Sequence, residues 1–136
     1  MPEESSGEQA SLRDIHVFLV VDDSGSRELL RTVLEYAGAL VSAIDSARSA
    51  LAALEAIRPD VLITDVGDKG GDPVALIDRV RALPGCAEIP SIAVTADGRH
   101  GERQRLLASG FQEHVTRPID AWELCRLVAS LARRRG

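Results

Sequence analysis

The feature that most constrains this chain is a set of short apolar runs that each stop abruptly at a polar side chain. His16-Val17-Phe18-Leu19-Val20-Val21 shows no alternation and ends at Asp22-Asp23. Residues 60–65, Asp-Val-Leu-Ile-Thr-Asp, repeat the design and end at Asp65, while Ser91-Ile92-Ala93-Val94-Thr95 ends in a hydroxyl. A run that is apolar on both sides of the pleat and rich in β-branched residues predicts a strand covered on both faces, as in a parallel sheet. Leu40–Ile44 and Glu113–Thr116 predict two further strands from weaker patterns.

Helical stripes fill the intervals. Leu29, Leu30, Val33, Leu34 and Ala37 form the first, with Gly38 as its C-terminal cap. Ala47, Ala50, Leu51, Leu54 and Ile57 form the second, between Ser46 as N-cap and Pro59 as stop. Asp72-Pro73 opens the third, which carries Leu76, Ile77, Val80 and Leu83. Residues 99–109 predict a polar fourth helix closed by Gly110. Asp120-Ala121-Trp122-Glu123 reads as a capping box for a fifth, with Leu124, Leu127, Val128 and Leu131 facing inward. The order is therefore βαβαβαβαβα. Short connections and right-handed crossovers make it an α/β, doubly wound, five-stranded parallel sheet of order 2-1-3-4-5. A chain of 136 residues suits one such domain. It is expected over residues 14–134, behind a polar, loose tail at 1–13.

Composition narrows the class. Lys and Arg number 16 against 21 Asp and Glu, a net charge of −5 that disfavours contact with a phosphate backbone. No apolar run reaches the ~20 residues a membrane helix needs, and the first residues have no secretion-signal pattern, so a cytoplasmic location is expected. Cys86 and Cys125 lie in unrelated settings and suggest neither a disulfide framework nor a zinc site.

In a doubly wound sheet, ligands bind beyond the carboxyl ends of the strands where strand order reverses, here between strands 1 and 3. Asp22, Asp23 and Asp65 belong to that edge. Three carboxylates there repel one another unless protonated or neutralised, and oxygen-only ligands point to Mg²⁺. Thr95 and Arg117, from the ends of strands 4 and 5, add a hydroxyl and a fixed cation to the rim. Such a set can stabilise a transferring phosphoryl group.

VVDDS at strand 1, DVLITDVG at strand 3, AVTADG at strand 4 and GFQEHVTRPID at strand 5 together resemble the receiver domains of two-component response regulators. The likeness covers residues 14–134, and the last segment is especially similar to receivers of hybrid histidine kinases. It implies a flavodoxin-like (βα)5 fold and a role for each matching position. Asp65 would be the phosphoacceptor, served by a histidine kinase or a histidine phosphotransfer protein. Asp23 and Asp65 would ligate Mg²⁺ directly with the Gly67 carbonyl, and Asp22 mostly through a water. Thr95 would bond the phosphoryl group, and Ala96 would leave room for it. His114 occupies the switch position, usually aromatic, while Gly67 and Asp97 match the positions that tune dephosphorylation. Output would pass to a downstream protein through the face of helix 4, strand 5 and helix 5, with the chain a monomer or weak dimer. Such a module is a signalling phosphoacceptor and not an enzyme.

Two departures stand out. Arg117, followed by Pro118, replaces the family lysine; a planar, larger cation is expected to slow phosphorylation or weaken its signal. The GDKGGDP loop lacks the usual Met-Pro and is expected to be looser, with Lys69 a solvated loop residue. These feed an alternative, a degenerate receiver that acts through protein contacts without phosphorylation. A nucleotide enzyme or hydrolase ranks last, because GxGxxG, GxxxxGK[ST] and GxSxG are all missing. Simpler roles compete at single positions: Asp22-Asp23 as a helix start, Thr95 as a strand residue, His114 as a half-buried edge side chain, and Trp122 as a packing residue. The 133–135 arginine run most simply complements a helix C-terminal dipole.

Overall fold

The computed structural model describes residues 10–65, 72–96 and 98–135. Five strands and five helices alternate along it: β1 (His16–Val21), α1 (Ser24–Tyr36), β2 (Leu40–Ile44), α2 (Ala47–Leu54), β3 (Val61–Asp65), α3 (Pro73–Ala82), β4 (Ser91–Thr95), α4 (His100–Ser109), β5 (Glu113–Thr116) and α5 (Ala121–Arg135). The strands form one parallel sheet of order β2-β1-β3-β4-β5, as the alternation predicts.

Period-two geometry explains the unbroken apolar runs. Val17, Leu19 and Val21 of β1 pack with Leu30 and Leu34 of α1 and with Leu124, Val128 and Leu131 of α5. Their neighbours Phe18 and Val20 face the other way, onto Leu54 of α2, Leu76, Ile77 and Val80 of α3, and Leu106 of α4. Each of these β1 residues therefore meets a helix on one side or the other, which is why the run stays apolar until the strand leaves the layer.

Caps set the helix starts. Asp23 Oδ2 accepts from Ser26 N–H at 2.8 Å, Ser46 Oγ from Ser49 N–H at 3.1 Å, and Asp72 Oδ1 from Val74 N–H at 3.1 Å. Asp120 Oδ1 accepts from the N–H groups of Trp122 and Glu123 at 3.0 and 3.1 Å. The predicted capping box is only half present, because Glu123 turns to Arg126 at 2.6 Å. At the other end of α1, Gly38 has φ of +110°, and a Cβ there would lie 3.2 Å from the backbone nitrogen of Arg13. Both the left-handed backbone and the close approach call for glycine.

Three sequence expectations shift. Leu29 stands at the margin of the α1 stripe and is 65% exposed. The second helix stops at Leu54, where the N–H groups of Ala56 and Ile57 both turn to Ala53 O and leave Ile57 mostly outside the core. Packing also begins before residue 14: Leu12 is fully buried, its N–H donates to Ala37 O at 2.8 Å, and Ala10 packs beside it. A single leucine in a polar run carries no periodicity, so its burial beneath the end of α1 is invisible to pattern reading. Among the described residues, no helix is long and apolar enough to cross a membrane.

Candidate functional site

Register brings the acidic strand ends together. Val21 pairs with Asp65 across β1 and β3, so Asp22 and Asp23 emerge beside Asp65, and Asp22 N–H reaches Asp65 O at 3.4 Å. Asp65 is 2% exposed although it ends a strand. Arg117, which closes β5, supplies its partner: Nη1 donates to Oδ1 at 2.7 Å and to Oδ2 at 2.9 Å. The Arg117 N–H is in turn held by Thr95 O at 2.9 Å, which ties the ends of β4 and β5. The Arg117–Pro118 peptide is cis. Thr95 Oγ1 lies 2.6 Å from Nε2 of His114, and His114 is buried at 8% exposure, not half-buried as an edge side chain would be.

The electrostatics are those of crowded acids. Burial lifts the Asp65 carboxyl above its ordinary range; Arg117 pulls it back, while the negative charges of Asp22 and Asp23 add to the lift. Asp23 is held below its ordinary range, first by the Ser26 N–H it caps and also by Arg27 and Arg117. Asp23 therefore serves as both a helix start and a member of the acid group.

The donor chemistry at this rim, carboxylate oxygen with no nitrogen or sulfur, fits a hard dication. Among the described residues, no three His, Cys, Asp or Glu side chains converge as a metal cluster. Two of the three acids have a nearer claim, Asp23 on the α1 N-terminus and Asp65 on Arg117. The register sets Asp22 and Asp23 beside Asp65, and their charges act on its carboxyl.

A raised carboxyl has a consequence for stability. The folded state disfavours ionised Asp65, so its penalty is full above the raised pKa, shrinks as pH falls through it, and is gone below the ordinary 3.8. Asp65→Asn is expected to stabilise the fold by about 0.5–2 kcal/mol at neutral pH, with the gain fading toward pH 3.8. Urea unfolding at two pH values checks this; a variant less stable than wild type at neutral pH contradicts it.

Gly67, Lys69 and Asp97, with the glycine-rich loop at 66–71, lie outside the described residues. Ala96 follows Thr95 at the rim. Trp122 is 40% exposed at the start of α5. Sequence reasoning missed Arg27, whose Nη1 donates to Val21 O at 2.8 Å just below the acidic pair; a lone arginine in a polar first turn gives no signal. It also missed a groove of about 310 Å³, lined by Leu29 and Val33 of α1, by Pro118 and Ile119, and by Asp65 and Arg117. The signal there was Leu29, misread as core.

The comparisons agree with this fold. A protein of the sodA1 3′ region in Leptolyngbya boryana is 42% identical over 118 residues, covering 87% of this chain and 90% of its own. The signal receiver domain of a signal transduction histidine kinase from Syntrophus aciditrophicus superposes with a TM-score of 0.79 at 27% identity, over 88% of this chain and 91% of that one. The receiver domain of the sensor histidine kinase PA1611 from Pseudomonas aeruginosa PAO1, with a magnesium ion coordinated in its active site cleft, shares the fold with a TM-score of 0.79 at 23% identity, over 88% and 98%. The chain spans about half the length, or less, of the regulatory proteins and sensor kinases it also matches. Residues 17–129 match the response regulator receiver domain, and with that sheet order and that acidic edge the chain belongs to the receiver domain family of two-component signalling.

Proposed function

We infer that this receiver is a phosphoacceptor. The observation that carries the reading is a buried aspartate at the end of the central strand, gripped by Arg117 at 2.7 and 2.9 Å and pushed by two neighbouring carboxylates. In the proposed reaction an Asp65 oxygen attacks the phosphorus of a phosphohistidine, the P–N bond breaks as the O–P bond forms, and water later hydrolyses the aspartyl phosphate. Arg117 orients the carboxylate and offsets charge on the transferring group. Thr95 bonds a phosphoryl oxygen, and Ala96 leaves space beside it. His114 takes the switch position on β5, which links the rim to the α4–β5–α5 face through which a downstream protein is engaged. Asp22, Asp23 and Asp65, with the Gly67 carbonyl, would hold Mg²⁺, which would supply charge neutralisation; the PA1611 receiver carries a magnesium ion in its active site cleft. Gly67 and Asp97 would set how fast water reaches the phosphoryl group.

The phosphoryl donor is a histidine kinase or a histidine phosphotransfer protein, and the module acts in the cytoplasm, assisting only its own phosphorylation and dephosphorylation. Incubation with Mg²⁺ and acetyl phosphate is expected to add one phosphoryl mass to the chain. The addition should vanish in Asp65→Asn and with EDTA. No uptake at any Mg²⁺ concentration would overturn the phosphoacceptor reading and leave a receiver that signals through contacts alone.

A further inference from the structure

The contact between Thr95 and His114 carries an inference that rests on the phosphoacceptor reading and deepens it. Thr95 Oγ1 and His114 Nε2 are 2.6 Å apart, close enough that a proton lies between them. A hydroxyl owns one proton, and a neutral imidazole nitrogen either carries a proton or accepts one. If Nε2 accepts, the Thr95 proton is spent on the imidazole and Oγ1 offers only lone pairs to other neighbours. If Nε2 donates, the Thr95 proton is directed elsewhere, and the hydroxyl becomes a donor that can serve an anionic group.

Local charge separates the two. Asp22, Asp23 and Asp65 place negative charge at the carboxyl edge that β4 shares, with Arg117 committed to Asp65. A hydroxyl hydrogen turned toward that edge is favoured over a lone pair turned toward it. Packing holds the donor in place. His114 is buried and pairs with Ala93 across β4 and β5. Its carbonyl accepts from Arg103 Nη1 at 3.4 Å, and the Thr95 carbonyl is held by Arg117 N–H.

We propose that His114 is a positioning residue: it donates Nε2–H to Thr95 Oγ1 and so directs the Thr95 hydroxyl proton to an incoming phosphoryl group. A phenylalanine here could fill the space but could not donate. Glutamine places an amide N–H near the position of Nε2 and can.

Two measurements on the whole chain test this. Nitrogen-15 resonances of the imidazole ring should show His114 protonated at Nε2 both before and after addition of Mg²⁺ with beryllofluoride. Fluorine-19 titration should show beryllofluoride bound about three- to tenfold more weakly by His114→Phe, the loss of one hydrogen bond to the hydroxyl that holds it, with His114→Gln restoring most of the affinity. An unprotonated Nε2, or a phenylalanine variant that binds as tightly as wild type, overturns the proposal. A wild type that takes up no beryllofluoride overturns the phosphoacceptor reading instead, and the ring resonances alone then decide the His114 assignment.

Discussion

Arg81→Ala is expected to lower stability by about 3–5 kcal/mol, the largest effect of any single surface-reaching side chain. Arg81 lies in the last turn of α3, and its guanidinium ties together segments that share no continuous element. Nη1 donates to Ile89 O at 2.7 Å and to Cys86 O at 3.2 Å, while Nη2 donates to Gly110 O at 2.6 Å, to Gln112 Oε1 at 3.2 Å and to Ser91 Oγ at 3.4 Å. Gln112 Oε1 also accepts from Ser91 N–H at 2.7 Å, so removing the arginine loosens the entry of β4 and the turn into β5 at once. Burial pulls the guanidinium pKa down from its ordinary range, yet an arginine keeps its charge in proteins. Hydrogen bonds from a charged donor contribute more individually than neutral ones. Arg81→Lys should recover less than half of the loss, because one ammonium cannot span acceptors on two sides of a planar fork. Chemical denaturation reads both; an alanine variant within 1 kcal/mol of wild type, a surface-sized effect, would falsify the assignment of Arg81 as a structural tie. Since the cluster sits at the amino ends of β4 and β5, the rim at their carboxyl ends should keep its chemistry.

The second large effect is expected at Arg117. On the proposed chemistry, Arg117→Ala should slow phosphoryl uptake from acetyl phosphate by about 100-fold, comparable to removing one oriented donor from a charged transition state. The geometry also revises the expected handicap of arginine against lysine. A single nitrogen, Nη1, meets both Asp65 oxygens. This is not the two-nitrogen fork that distinguishes arginine from lysine, and an ammonium can reproduce it. Arg117→Lys is therefore expected to hold the uptake rate within about threefold of wild type. A time course of intact mass separates the outcomes. A tenfold acceleration in the lysine variant would show that the guanidinium obstructs Asp65, and an alanine variant as fast as wild type would remove Arg117 from the reaction.

The fold was largely legible because its signal is redundant. Strand residues such as Val17 through Val21 must be apolar when helices cover both faces, and caps such as Ser46 and Asp72 mark the starts of the helices between them. The errors fell where one residue acts without a pattern. Leu12 is buried out of a polar run, and Leu29 is exposed from within an apolar stripe, because the boundary of a helix face depends on where the neighbouring layer ends. At the rim, the sequence nominated Asp22, Asp23, Asp65, Thr95 and Arg117 as neighbours, since carboxyl ends of adjacent parallel strands lie side by side whatever the details.

What the amino-acid order determined alone was therefore the alternation of strands and helices, the sheet order, and which polar residues reach its edge. Tertiary structure decided how those residues pair. Asp65 bonds to one nitrogen of Arg117, Asp23 caps α1, and His114 reaches Thr95 across β4 and β5. The physical reason is range. Apolar periodicity is a local property repeated along the chain, whereas a hydrogen bond is settled within a few tenths of an ångström by side chains far apart in sequence, and those distances exist only once the layers have packed.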